Sequence, residues 1–515
     1  MQTDSSNPRR PAVVLVADRT LSARYKVLFE GIFATMQTSK APQIAMRHLL
    51  SPKMSVDPAG RALAAPLGLR RVQAAILDQT DLGPDDVVCT TPEALGGLLG
   101  PWTKVVGVSS SDPLGQGMSN TTTTAFWSGE LYTARWTRRM MHAVKAAKAK
   151  YDFTVVAGGA GAWQWARNEE AVKSQGIDVV FEGYFEQIGP QMVRDIVDGR
   201  TVEPHVVAEG TSANRIRPIT GASMLGIVEL SRGCGNGCGF CTMGKVKMDH
   251  LPHETILADL QTNVSAGFTS VVSGSEDFFR YGAVSGKVNF EALRSLLEEM
   301  RRIDGLGFMQ IDHGNISSVL QYEDDQLREI RRLLTWSRPS EYLWVNMGVE
   351  SANGNLVAAN GSGKMAPYDP GDWGDMVRKA ADKMIRTGFY PVFSVVLGLP
   401  GETPDDVADT LQLVKDLVAK NVVIFPIFYE PQTASNEAFS VSAMTADHLE
   451  LYTVCYENNF KRVPDLFWDN QRAGGVSWFK RALLQLLGKT EVRAWRKNFR
   501  RIAKQIAARN GEAGK

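Results

Sequence analysis

At 515 residues the chain exceeds one compact domain, and about 100–200 residues per domain suggests two or three. Its 44% apolar and 22% charged residues exclude wholesale disorder, collagen and low-complexity fibre. Lys and Arg number 57 against 56 Asp and Glu, so no global basic field draws the chain to nucleic acid. No run of about 18 apolar residues exists to span a membrane, and residues 1–8 lack a signal-peptide core, so the cytoplasm is the expected compartment.

In chain order, β-rich runs come first at 13–16, 86–89, 105–108, 154–157 and 179–181, with helical stretches at 131–151 and 169–174. Such alternation predicts an α/β domain over 1–210, with a parallel sheet buried on both faces. Ligands of such sheets sit beyond the carboxyl ends of strands. Residues 211–224 read as a linker. A second series follows over 225–430: strands at 226–230, 270–273, 307–311, 343–347, 392–397 and 422–425. Helices are expected at 253–266, 289–302, 323–335, 374–387 and 404–419. Six βα units predict a partial or complete (β/α)6 barrel with its site at the C-terminal strand ends. Residues 431–515 form a mainly helical region. Its aromatics (Tyr452, Tyr456, Phe460, Phe467, Trp468, Trp478, Trp495) suit either a substrate lid or ordinary packing. From Lys480 to Lys515 there are eleven Lys and Arg against two Glu, beside an apolar stripe of Leu483, Leu484, Leu486, Leu487, Val492, Trp495, Phe499 and Ile502. Such a helix fits a packed core element, or contact with an anionic membrane surface.

Five cysteines are too few, and odd in number, for a disulfide framework. Cys89 and Cys455 sit in apolar runs and read as small buried hydrophobes. Cys234, Cys238 and Cys241 instead cluster as C-x3-C-x2-C directly after the first strand of the second series. Three thiolates suit a soft metal centre. A structural zinc site wants a fourth ligand, for which only His250 and His253 compete. Glycines between the cysteines let the backbone fold tightly and leave amides free for cluster sulfurs. A cubane held by three cysteines leaves one iron open, the mark of a reactive centre. The overlapping Gly239 to Lys245 imitates a phosphate loop, but Val246 stands where the metal-binding Ser or Thr belongs.

This cysteine loop, with Phe240 before its last cysteine, resembles the radical S-adenosylmethionine (SAM) superfamily. That resemblance implies a 4Fe-4S cluster on Cys234, Cys238 and Cys241, with SAM chelating the open iron. Ser273, Gly274 and Glu276 stand at the family's Gly-Glu motif, with Ser275 replacing a glycine. Glu350 and Ser351 follow the fourth strand, where relatives contact ribose or carboxylate. Gly398 and Leu399 belong to a turn resembling the adenine-side turn. Read singly, Asp277 and Glu402 are caps or surface charges.

The first domain resembles a Rossmann-like cobalamin-binding domain. The resemblance rests on Gly158, Gly159 and Gly161, on the strand leading to Gly183 and Tyr184, and on Ser109, Ser110, Ser111, Asp112 and Leu114. Asp18 to Ser22 stand where the first loop approaches the cofactor's lower face. No Asp-x-His-x-x-Gly occurs, so the resemblance implies cobalamin without histidine ligation. An empty α/β domain or a nucleotide fold are the other readings. Together the two domains resemble cobalamin-dependent radical SAM enzymes, most of them methyltransferases acting on unactivated carbon of a small molecule or peptide. An oxidative cyclase or ring-rearranging enzyme is the second expectation, and a non-enzymatic iron–sulfur sensor or electron carrier the third. The expected partner is a one-electron donor such as flavodoxin or ferredoxin. Cys89 and Cys455 alone cannot hold a second cluster, which argues against methylthiolation.

Overall fold

The computed structural model describes residues 10–241, 243–335, 343–431 and 437–512. The N-terminal residues 1–8 and Thr242 of the cysteine loop therefore lie outside the described residues. Contacts divide the chain into two units. The first comprises Met1–Gly117, Glu130–Val228 and Pro252–Phe268; the second comprises Met118–Gly129, Glu229–Leu251 and Thr269–Lys515.

The first unit is built on six parallel strands: β1 (Val13–Ala17), β2 (Val87–Thr90), β3 (Val105–Ser109), β4 (Thr154–Gly158), β5 (Val179–Glu182) and β6 (His205–Val207). They pair in the order β2-β1-β3-β4-β5-β6. Alternate residues feed two apolar layers, which is why the strands read as unbroken valine runs rather than as alternation. Val14, Val16, Val106, Val108 and Val155 pack with Met140, Met141, Val144 and Trp165. Val13, Leu15, Val87 and Val105 pack with Leu69, Ile76, Met192, Val193 and Ile196 on the other face. Five of the six strands match the sequence expectation. β6 was not foreseen, because a pair of valines after an exposed His205 is too short a run to mark a strand.

The stretch 211–224, read as a linker, is instead tied down within the first unit. Ala65 N–H donates to Ala222 O (3.1 Å) and Met224 N–H to Ala65 O (2.7 Å). Arg70 Nε also donates to Ala222 O at 3.0 Å. Helix His253–Ser265 is held in this unit by a buried ion pair, Arg71 Nη2 to Asp259 Oδ2 at 2.5 Å.

Three two-residue strands come next: β7 (Ile227–Val228), β8 (Ser231–Arg232) and β9 (Asp249–His250), the last two antiparallel. The expected single strand over 226–230 is thus broken. Its cause is Leu225 at φ +60° and Ser275, whose Oγ takes the N–H groups of Leu230 (3.2 Å) and Ser231 (3.0 Å) in place of a ladder. Five parallel strands complete the second unit: β10 (Ser270–Ser273), β11 (Phe308–Gln310), β12 (Leu343–Glu350), β13 (Phe389–Leu397) and β14 (Val423–Phe428). β10 pairs with β11, and β12 with β13 and β13 with β14, all in parallel. A parallel bridge from His313 to Asn346 links the two groups. Helices Phe290–Arg301, Asp324–Leu334, Trp373–Arg386 and Pro404–Val418 lie between the strands. The last starts with Thr403 in a capping box with Asp406 and with proline in its first turn.

Helices Ala446–Ala473 and Trp478–Glu512 follow. Leu484, Trp495, Phe499 and Ile502 of the second are buried, so half of the apolar stripe is core, while Leu483, Leu487 and Val492 are half-buried and Leu486 is exposed. Tyr456 stacks on Trp495 (5.3 Å) and on Tyr452 (4.8 Å), and Tyr452 on Phe126 (4.1 Å). For Tyr452, Tyr456 and Trp495 ordinary packing is the outcome, whereas Trp478 is exposed. No helix among the described residues is long and apolar enough to cross a membrane.

Candidate functional site

Cys234 and Cys238 are buried, Cys241 is half-buried, and none is in a disulfide. Gly233, Gly235 and Gly237 adopt φ of +73°, +68° and +76°, a left-handed conformation that lets the loop reverse around its cysteines. The loop closes on itself through Gly235 N–H to Val246 O (2.8 Å) and Gly237 N–H to Gly244 O (2.7 Å). The amide of Asn236 donates to the Cys234 sulfur, and those of Met243 and Gly244 to the Cys241 sulfur. Burial pushes the Cys234 thiol up to about 11 and raises that of Cys241. Amide donors around three unpaired thiols fit an iron–sulfur cluster, whose sulfurs accept such bonds. His250 Nδ1 is already engaged by Ser231 Oγ at 2.8 Å.

A second loop, Asn360 to Lys364, clasps the first. Gly239 N–H donates to Asn360 O (2.9 Å) and Gly363 N–H to Asn236 O (2.5 Å). The backbones approach so closely that a Cβ on Gly237 would lie 2.8 Å from Gly361 O, and one on Gly361 2.9 Å from Gly237 O. The buried Ser362 hydroxyl lies 3.0 Å from Cys238 Sγ. Lys364, also buried, pairs with Glu350 and donates to Gly348 O at 3.1 Å. Burial opposes its charge, but Glu350 together with Cys238 and Cys234 holds the ammonium above the ordinary lysine range. Sequence reasoning passed over this loop, because Asn-Gly-Ser-Gly-Lys reads as a turn. Its two glycines were the only signal.

The remaining expected residues divide. Phe240 and Leu399 are buried in one apolar cluster with Cys238, and Cys241 packs against it. The Glu276 carboxyl is raised by burial and lies within electrostatic reach of Cys234 and Cys241. Gly274 precedes it, half-buried. Ser273 is turned to the backbone, accepting from Asp312 N–H at 3.3 Å. Glu350 closes β12 in a left-handed conformation (φ +66°) at a register shift, which turns its carboxylate toward Lys364. Ser351 faces Thr410 (3.2 Å) instead. Gly398 (φ +78°) has no room for a Cβ beside Phe439, and its N–H binds Glu402 Oε2 at 2.9 Å. Glu402 also meets His448 Nε2 at 2.9 Å, so it is neither cap nor surface charge. Asp277 is fully buried, held by Ser318 Oγ (2.6 Å) and Asn315 N–H (3.2 Å), and burial raises it to about 6.

In the first unit the strand order reverses between β1 and β3, and a ligand crevice is expected there. Ser109 ends β3, with Ser110, Ser111, Asp112 and Leu114 in the loop after it, and Gly158 ends β4 beside it, followed by Gly159 and Gly161. The glycines are explained by this loop pair itself: a Cβ on Gly159 would lie 2.5 Å from Ser109 Oγ, and one on Gly161 2.8 Å from Ser111 O. Asp112 Oδ1 organises the loop, accepting from Gln164 Nε2 (2.6 Å) and Gln116 N–H (2.7 Å), while Leu114 N–H donates to Gln164 Oε1. Ser110 binds Thr137 at 3.1 Å. Ser109 and Ser111 remain half-buried. Gly183 (φ +96°) abuts Ala208 O after β5, with Tyr184 next to it. Asp18, after β1, is fully buried; Oδ1 accepts from Thr20 N–H at 2.8 Å, but Oδ2 has no hydrogen-bond partner. Burial lifts its carboxyl to about 6. An orphaned oxygen and two half-buried hydroxyls at a switch point fit a polar ligand.

Residues 228–414 match the family model described as the Radical SAM superfamily. Over that stretch the chain is similar to the radical SAM superfamily. Curated relatives include the threonylcarbamoyladenosine tRNA methylthiotransferase MtaB of Chlamydia pneumoniae, 29% identical over 204 residues, 39% of this chain and 43% of that one. The ribosomal protein uS12 methylthiotransferase RimO of Clostridioides difficile is 21% identical over 224 residues, 43% of this chain and 46% of the relative. The chain thus spans less than half the length of these relatives. Among solved structures, the radical SAM methyltransferase TsrM from Kitasatospora setae, with cobalamin and a [4Fe-4S] cluster bound, aligns at a TM-score of 0.52 and 14% identity, over 81% of this chain and 72% of that one. Over the aligned part the chain therefore shares a fold with that protein.

Proposed function

We propose that this chain is a cobalamin-dependent radical SAM methyltransferase that methylates an unactivated carbon of a small molecule or peptide. The observation that carries the proposal is the union, in one chain, of the radical SAM domain with a β2-β1-β3-β4-β5 parallel sheet of the TsrM fold. When bound, the cluster and SAM supply a hydrogen-abstracting radical, and cobalamin supplies the methyl group.

The chain's own residues divide the work of holding these groups. Cys234, Cys238 and Cys241 would hold the cluster and leave one iron for SAM. Glu276, near the thiols, would take the methionyl amino group. Phe240 and Leu399 form an apolar wall suited to a purine face. Lys364 pairs with Glu350 and fixes it at the end of β12. In the first unit Ser109, Ser111 and the backbone around Gly159 and Tyr184 would meet cobalamin, and no histidine stands between β1 and His48 to ligate it. A low-potential one-electron donor such as flavodoxin or ferredoxin would reduce the cluster.

Methylthiolation, the activity named for the curated relatives, requires a second cluster. The remaining thiols argue against one here: Cys89 is buried in the apolar face of the first sheet, and Cys455 is fully buried in the helix Ala446–Ala473. The test is anaerobic purification with iron, sulfide and cobalamin supplied, then incubation with methyl-deuterated SAM, reductant and candidate metabolites. Deuterated methyl in product supports the proposal. A cyclised or rearranged product without label would favour the cyclase reading, and no deoxyadenosine at all would favour a sensor or carrier.

A further inference from the structure

We infer that Ser362 tunes the cluster by donating a hydrogen bond to the Cys238 sulfur, with the Asn360–Lys364 loop serving to fix that contact. This rests on the reading of Cys234, Cys238 and Cys241 as cluster ligands.

Ser362 Oγ and Cys238 Sγ lie 3.0 Å apart, and Ser362 is almost wholly shielded from water. With the thiol protonated, Sγ–H donates to Oγ. A cysteine bound to iron is a thiolate and has no hydrogen to give. The same pair must then reverse, with the serine O–H donating to sulfur. Ser362 is prepared for this. Its Oγ accepts weakly from Lys364 N–H at 3.5 Å, which leaves its own hydrogen free to point at the sulfur.

The loop cannot drift away from the cysteines. It is bonded on either side of Ser362, by Asn360 O to Gly239 N–H and by Gly363 N–H to Asn236 O. Gly361, at φ +82°, lets the backbone pass within contact of Gly237. Lys364 anchors its far end to Glu350 and, through its carbonyl, to Asn315 Nδ2 (2.9 Å) and Ser317 Oγ (2.7 Å). Such an arrangement holds one hydroxyl against one sulfur, which a flexible turn would not do.

A donor on a ligand sulfur draws off negative charge. It stabilises the reduced, more negative cluster over the oxidised one and raises the reduction potential. Ser362 is therefore a positioning residue that acts through Cys238.

The experiment uses the full chain, reconstituted anaerobically with iron and sulfide. Its reduced-cluster electron paramagnetic resonance signal is followed in a mediated redox titration with dithionite. Ser362→Ala is expected to shift the midpoint to a more negative potential, and Ser362→Thr, which keeps the hydroxyl, to return it toward the parent value. If Ser362→Ala binds less iron, the midpoint is still read, because only cluster-bearing molecules give the signal. An unchanged midpoint in Ser362→Ala, or a Ser362→Thr value equal to that of the alanine variant, overturns the inference. Failure of the parent chain to assemble any [4Fe-4S] signal overturns the cluster reading, and the inference with it.

Discussion

Asp18 holds a carboxyl where the fold does not want a charge, and its replacement by asparagine should stabilise the protein at neutral pH. Burial raises the group from 3.8 to about 6. At ~1.4 kcal/mol per pH unit, keeping it ionised near neutrality costs up to about 3 kcal/mol. Asparagine keeps the acceptor for Thr20 N–H but adds an amide that must find its own partner, so we expect a gain of roughly 1–2 kcal/mol. Because the folded-state value is raised, the folded protein binds more protons than the unfolded chain between about pH 4 and pH 6. The parent therefore loses stability as pH rises through that window and is flat above it, so the advantage of Asp18→Asn should be full near pH 7 and vanish near pH 4. Urea-unfolding midpoints of parent and variant at both pH values measure this. A pH-independent difference, or a variant less stable at neutral pH, would refute the reasoning. If the cost is tolerated for the sake of a ligand, the same variant should bind cobalamin more weakly while folding more firmly.

Alanine at any one of Cys234, Cys238 or Cys241 should abolish the visible iron–sulfur absorbance of reconstituted protein and leave the far-ultraviolet circular dichroism intact. Asp259→Asn strands Arg71 in the interior of the first unit, and a loss of about 3–5 kcal/mol is expected in chemical denaturation. Lys364→Met should cost a similar amount, because Glu350 loses its cation; the double change with Glu350→Gln should recover most of it, as a double-mutant cycle would reveal. Gly183→Ala places a methyl group 2.1 Å from Ala208 O at a left-handed φ, so the melting temperature should fall by several degrees in calorimetry.

The strands were legible wherever a valine run is buried on both sides, as in Val13–Ala17 or Val105–Ser109, because a parallel sheet covered on both faces favours such runs. The cysteine spacing was legible because the chemistry demands it. Helix Met118–Phe126 was not foreseen: its four consecutive threonines predict poor helix. Thr122, Thr123 and Thr124 instead return their hydroxyls to the carbonyls of Met118, Ser119 and Asn120, four residues back. The Asn360–Lys364 clasp was invisible for a different reason. Its partner lies over a hundred residues upstream, and glycines chosen for a close approach look like those of any turn. The glycines after β4 have a local cause that the sequence could not show, since Gly159 and Gly161 answer to the loop after β3.

The two units exchange helices along the chain. Residues 118–129 leave the first to join the second, and 252–268 return. A fragment ending at Val228 would therefore strand Phe126, deprived of Tyr452, and would leave Arg71 without its aspartate. Neither half can be excised as a continuous piece or grafted from a homologue by a single crossover. A ribosome must release residues beyond 450 before the aromatic made at 126 finds its berth, so synthesis cannot complete one half before it begins the other.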